Sequence, residues 1–98
     1  MKPSITISEN LMTEIRIWLR MKTTAYDDEV KAAVEACATD LYLAGVNIVD
    51  TEDALTKQAI KLYVKAFFGN MDMSDKFQKS YEHLKAAMAL SGEYKGVG

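Results

Sequence analysis

The sequence predicts an all-α fold, a compact bundle of about four helices with short loops. Apolar residues recur at helical spacing in four segments, and short polar breaks separate these segments. Six methionines, one proline and five glycines in 98 residues favour helices over strands and turns. The apolar stretch 46–49 has no second strand to pair with, so it is predicted to be a connector and not part of a sheet. The length fits a single domain, residues 1–98.

The first two helices are predicted over residues 8–21 and 26–44. Ser8 is a favourable N-cap for helix one. Acidic residues 27–29 suit the start of helix two, and Gly45 suits its C-terminal cap. The predicted core stripe of helix one consists of Leu11, Met12, Ile15, Trp18 and Leu19. The stripe of helix two consists of Val30, Ala33, Val34, Cys37, Ala38, Leu41 and Ala44.

The other two helices are predicted over residues 51–68 and 74–90. Asp50 or Thr51 is expected to cap helix three, and Ser74 to cap helix four. Helix three has an apolar arc wide enough to predict a central position in the bundle. Its apolar residues are Leu55, Ala59, Ile60, Leu62, Tyr63, Val64, Ala66 and Phe67. Helix four has the narrower stripe Phe77, Tyr81, Leu84 and Met88. Residues 91–98 are rich in glycine and have no period, which predicts a flexible C-terminal tail.

The sequence offers no catalytic set, cofactor motif or metal site. His83 lies on the polar side of helix four, and Cys37 lies in a core stripe, where a buried structural thiol is expected. One cysteine and one histidine cannot supply a zinc site. The acidic clusters fall at predicted helix starts, which capping and the helix dipole explain. We therefore expect no enzyme, no cofactor and no metal.

The formal net charge of −2 weighs against sequence-specific DNA binding, because phosphate neutralisation supplies much of that affinity. Some basic residues could nevertheless lie near DNA or form a solvated edge: Arg16, Arg20, Lys57, Lys61 and Lys65. A small helical DNA-binding packaging or regulatory factor that uses these residues is therefore the alternative function.

More informative is a surplus of apolar residues outside the core stripes, since such groups often mark protein–protein contacts. Ile17, Met21, Leu43, Phe68 and Leu90 have no obvious place in a four-helix core. Other apolar residues are expected to be only partly covered by the core. With these added, the candidate subunit or partner interface consists of Ile17, Trp18, Met21, Leu43, Phe67, Phe68, Leu90 and Tyr94. These residues favour self-assembly.

Four stretches of the sequence resemble the small phage head–tail connector proteins, which are also labelled phage DNA-packaging proteins. The most characteristic is residues 56–69, TKQAIKLYVKAFFG. Residues 38–46, ATDLYLAGV, resemble the family's second helix. Residues 77–84, FQKSYEHL, and 88–94, MALSGEY, resemble the end of the family. The likeness runs from about Glu9 to Tyr94 and is carried by packing residues, so it identifies no active site.

The resemblance implies a structural virion protein of a tailed phage or prophage. Such a subunit would form a homo-oligomeric ring of about a dozen copies at the head–tail junction. The ring would dock on the portal protein, extend the DNA channel and receive a tail-side head-completion protein. DNA would pass through without sequence-specific binding, and no membrane would be involved. The protein would be made in the bacterial host cytoplasm.

Overall fold

The computed structural model describes residues 7–47, 49–68 and 71–95. Four longer helices form the domain: α1 (Glu9–Leu19), α2 (Asp27–Leu43), α3 (Ala54–Phe68) and α4 (Met71–Leu90). A single helical turn follows as α5 (Gly92–Lys95). No strand occurs in these ranges, which confirms the predicted all-α class. None of the described helices is long and apolar enough to cross a membrane.

Cross-helix contacts fix the directions of α1, α3 and α4 relative to one another. Lys57 pairs with Glu14, and Lys61 lies over the ring of Trp18, so α1 and α3 run in the same direction. Tyr63 packs on Tyr81 while Lys65 lies over Phe77, so α3 and α4 run in opposite directions.

The helix α3 contacts α1, α2 and α4, which confirms its predicted central position. The core between these helices is apolar apart from a few buried polar groups. Its fully buried larger side chains include Leu11, Met12, Ile15, Val30, Val34, Leu41, Val46, Ile60, Val64 and Met88.

Two helix termini follow the sequence predictions. The Ser8 hydroxyl accepts a hydrogen bond from the Leu11 backbone N–H at 3.1 Å. At the end of α2, Gly45 has φ +105°, a conformation that glycine adopts at little cost. The Val46 N–H bonds back to the Leu41 carbonyl, and the Gly45 N–H to that of Tyr42. This is a Schellman motif, and the buried Val46 side chain supplies its apolar contact.

The predicted cap of α3 was wrong by two or three residues. Asp53, not Asp50 or Thr51, accepts the hydrogen bond from the Thr56 N–H, at 3.0 Å. The buried face of α3 also differs, because Leu55 is 45% exposed whereas Thr56 is fully buried. The Thr56 hydroxyl donates to Asp53 Oδ2 at 3.2 Å, and this bond offsets the cost of burying it.

Three other helix limits differ from the prediction. The helix α1 ends at Leu19, where Arg20 turns the chain with φ +57°. The helix α4 begins at Met71, so Ser74 lies inside its first turn and is not its N-cap. Within the predicted tail, residues 92–95 form the turn α5. The expected stop of α3 at residues 69–70 and the tail residues 96–98 lie outside the described part of the chain.

Candidate interaction surface

Four of the eight candidate interface residues are strongly exposed apolar side chains. The exposed fractions are 68% for Ile17, 77% for Leu43, 66% for Phe67 and 81% for Leu90. Burial of such side chains at an interface contributes about 1.5–3 kcal/mol each when it is complete. These four residues are therefore the strongest candidates for contact with another protein.

The exposed residues lie on different parts of the bundle. Glu14 and Trp18 face Lys57 and Lys61, so Ile17 is level with the middle of α3, whereas Phe67 lies near the C-terminal end of that helix. From Ile60, which is level with Ile17, α3 rises by about 10 Å to Phe67. Leu43 and Leu90 lie at the C-terminal ends of α2 and α4. The apolar surface therefore comprises separated regions and not one patch.

The other four candidates pack against the core of their own chain. Trp18, Met21, Phe68 and Tyr94 are all partly buried there. The expectation that Met21 and Phe68 have no place in the core was wrong, because Met21 in the loop after α1 and Phe68 at the end of α3 both pack against it. Trp18 packs against the core and is only partly covered, as predicted.

Tyr94 also has a specific polar partner. Its hydroxyl donates to Asp53 Oδ2 at an O–O distance of 2.8 Å. The pKa of Asp53 lies below its usual range, because its carboxylate accepts two hydrogen bonds. The bond from the Thr56 N–H has the larger effect, and the bond from the Tyr94 hydroxyl the smaller one. The part of the predicted flexible tail that contains Tyr94 is thus attached to the N-cap of α3.

Four of the five basic candidates form contacts within the chain. The Arg16 guanidinium donates to Asp27, with Nε at 3.0 Å from Oδ1, and this bond lowers the pKa of Asp27. Lys57 pairs with Glu14 and Glu52 at 3.3 and 3.5 Å.

Lys61 and Lys65 lie over aromatic rings, 5.9 Å from the centroid of Trp18 and 5.3 Å from that of Phe77. Arg20 differs from the other four. It is exposed and has no ion pair or side-chain hydrogen bond within the described ranges. The structure thus does not assemble the five into one free cationic surface.

A groove lies between α2, α3 and α4, with a volume of about 340 Å³. Its aromatic walls come from α3 and α4, and two carboxylates lie at its rim. We call it the aromatic–acidic groove, and it is lined by Asp40, Tyr63, Ala66, Phe67, Gln78, Tyr81 and Glu82. Phe67, one of the four strongly exposed apolar candidates, is part of its lining.

A hydrogen-bonded network forms one side of this groove and joins α2 to α4. The Tyr81 hydroxyl donates to Asp40 Oδ2 at 2.6 Å, and Lys85 Nζ donates to the same oxygen at 3.0 Å. Lys85 also pairs with Glu82 at 2.8 Å. The Cys37 thiol lies 3.8 Å from the Tyr81 hydroxyl. These bonds fix the positions of both carboxylates relative to the aromatic rings.

Cys37 is buried and His83 is exposed, as their positions in the sequence predict. Burial raises the pKa of the Cys37 thiol to about 12, as expected for a structural thiol and not for a nucleophile. His83 is exposed on α4. No group of three or more potential metal-ligating side chains occurs among the described residues.

Sequence reasoning missed the groove and two exposed side chains, Tyr26 and Leu55. Asp40 was not a candidate, because in sequence it is an isolated carboxylate at the edge of an apolar stripe. Its partners Tyr81 and Lys85 are 41 and 45 residues away. Only the packing of α2 near α4 brings them together, so spacing along one helix carries no signal for this site.

Residues 11–95 match the family model described as phage connector protein. No curated protein shows a significant match to this sequence. No solved structure shows one either. The matched range includes all four longer helices except the first two residues of α1. The family is structural and not catalytic, and its members are virion components. The chain therefore belongs to the phage connector protein family.

Proposed function

We propose that this connector protein acts as one subunit of a closed ring at the head–tail junction. The ring docks on the portal protein, extends the DNA channel and completes the head after packaging. On its other side it receives a tail-side protein. Family membership supports a structural connector in general, and the features of this chain support the more specific role.

The exposure of Ile17, Leu43, Phe67 and Leu90 is the observation that carries the proposal. A small domain can leave single apolar side chains exposed without functional meaning. Here they lie in separate regions, one on each of the four longer helices, which suits a subunit that contacts more than one neighbour. Contacts between unlike surfaces close into a ring when the rotation between copies allows it.

The charge distribution supports a channel through which DNA slides. Many free lysines and arginines along a channel would hold DNA through its phosphates. Arg16 and Lys57 are instead neutralised by carboxylates, and the formal net charge is −2. This distribution fits DNA passage better than DNA recognition.

A portal-binding experiment with matched variants tests the proposal. Purified chain is sedimented with the cognate portal, and Phe67→Ser and Leu90→Ser are compared with Ala36→Ser, a change at an exposed position of α2. We expect wild type and Ala36→Ser to sediment with the portal, and at least one of the two apolar variants to lose about tenfold or more in affinity. A folded wild type that never associates with the portal or with itself contradicts the proposal.

Salt-sensitive binding to DNA fragments in a gel-shift titration would instead support the DNA-binding alternative.

A further inference from the structure

We propose that neighbouring subunits are joined by insertion of Ile17 and Arg20, here termed the α1 knob, into the aromatic–acidic groove of the next copy. The partner is thus a second copy of this chain. The inference rests on the proposed ring and assigns residues to the contact between its subunits.

The groove has the chemistry of a site for an arginine beside an apolar side chain. The Phe67 ring is 66% exposed, and the Tyr63 ring stands beside it on α3. The Asp40 and Glu82 side chains are 39% and 51% exposed, so both carboxylates can still be reached from outside. Lys85 neutralises one of the two charges, which leaves a formal charge of −1 in the groove. A planar guanidinium can stack on an aromatic ring and pair with a carboxylate at the same time.

The α1 knob has the complementary chemistry. The chain has two arginines, Arg16 and Arg20, and Arg16 is already paired with Asp27. Arg20 carries a positive charge without a partner in the described part of the chain. Ile17, three residues earlier on α1, adds an apolar side chain that is 68% exposed. The knob therefore offers one cation and one apolar group, and the groove offers one net negative charge and an exposed ring.

The backbone at Arg20 ends α1. Arg20 has φ +57°, its N–H bonds to the Ile17 carbonyl, and the Met21 N–H bonds to the Arg16 carbonyl. This is the Schellman pattern of a helix C-terminus, in which glycine is the usual residue at the left-handed position. The arginine side chain is therefore presented at the end of the helix, beside Ile17.

The two surfaces are placed as a ring contact requires. Lys61 faces Trp18 of α1, whereas Tyr63 lines the groove. Two residues correspond to about 200° around a helix axis, so α1 and the groove lie on different sides of α3. The knob of one copy therefore does not compete with its own groove. Repetition of the same contact around an axis gives a closed ring of identical subunits.

Charge reversal tests the pairing. Arg20→Glu and Glu82→Arg are made singly and together, and each is titrated with the cognate portal to find the concentration at which half of the chain sediments. Lys22→Glu and Glu35→Arg are the matched controls, because they carry the same charge changes at exposed positions outside the knob and groove. Thermal melts establish that each variant is folded.

We expect each single reversal to raise the half-saturation concentration by more than about tenfold, because it places like charges against each other. The double reversal should recover most of this loss, and the controls should stay within about threefold of wild type. Rescue by the double variant cannot arise from a folding defect. Two results would contradict the pairing but not the proposed ring. In one, the single reversals assemble as well as wild type; in the other, the double variant shows only the sum of the two losses. If wild type itself does not assemble, the proposed function fails as well.

Discussion

The hydroxyl of Tyr94 donates a hydrogen bond to Asp53 Oδ2 across 41 residues of sequence, at 2.8 Å. The same oxygen accepts from the N–H and the hydroxyl of Thr56, so one carboxylate both caps α3 and holds α5. Attachment of α5 in this way covers part of the core near the N-terminal end of α3. The end of the chain is therefore part of the folded domain as far as Tyr94.

Removal of this bond should destabilise the domain by a modest amount. Tyr94→Phe keeps the ring on the core but leaves Asp53 with one donor fewer. We expect the free energy of unfolding to fall by about 1 kcal/mol, the usual net value of such a hydrogen bond. Urea denaturation followed by circular dichroism measures it, with Tyr26→Phe as control because Tyr26 is half exposed. An equal loss in both variants would mean that the Tyr94 bond is not made in solution.

The lowered pKa of Asp53 gives this contact a defined pH dependence. A carboxyl whose pKa is lowered by folding stabilises the folded state above its unfolded pKa, about 3.9. That contribution is lost as the pH falls through the lower folded pKa. Asp53→Asn resembles the protonated form, so wild type should be the more stable protein at pH 7. The difference in unfolding free energy should stay constant down to about pH 5 and shrink at lower pH. A difference that does not change with pH would show that ionisation of Asp53 is not coupled to folding.

The buried Cys37 thiol should be unreactive in the folded protein. Its pKa is raised to about 12 by burial, so at pH 8 it is both protonated and inaccessible. A thiol reagent such as a disulfide dye should therefore react at least about a hundredfold more slowly with native protein than with protein in urea. Rapid stoichiometric labelling of the native protein would show that the core around Tyr81 opens readily.

Arg20→Gly should separate folding from assembly. Glycine adopts the positive φ at this position with less strain, so we expect the unfolding free energy to rise by up to about 1 kcal/mol. The same change removes the cation of the α1 knob, so assembly with the portal should weaken. Denaturation and sedimentation are measured on the same preparation. A variant that assembles as well as wild type would contradict a role for Arg20 in subunit contacts.

Much of the fold could be predicted because its signals are local. The Ser8 cap and the Gly45 terminus each depend on a few neighbouring residues, and both were predicted correctly. The central position of α3 followed from its wide apolar arc. The exposure of Leu43 and Leu90 followed from positions outside the core stripes.

The remaining features depend on contacts between distant residues. Thr56, and not Leu55, lies on the buried face of α3, where its hydroxyl donates a hydrogen bond to Asp53. The pattern of apolar residues carries no information about that bond. The docking of Tyr94 and the network at Asp40 each join residues about 40 positions apart. Such sites require the packed structure, which is why the aromatic–acidic groove was not among the predicted features.

The most direct test of the proposed ring is electron microscopy of the chain mixed with its cognate portal in negative stain. We expect portal particles that carry an additional ring of density on one side, coaxial with the channel and composed of about a dozen copies of the chain. Portal particles without added density, in the presence of excess folded chain, would contradict it.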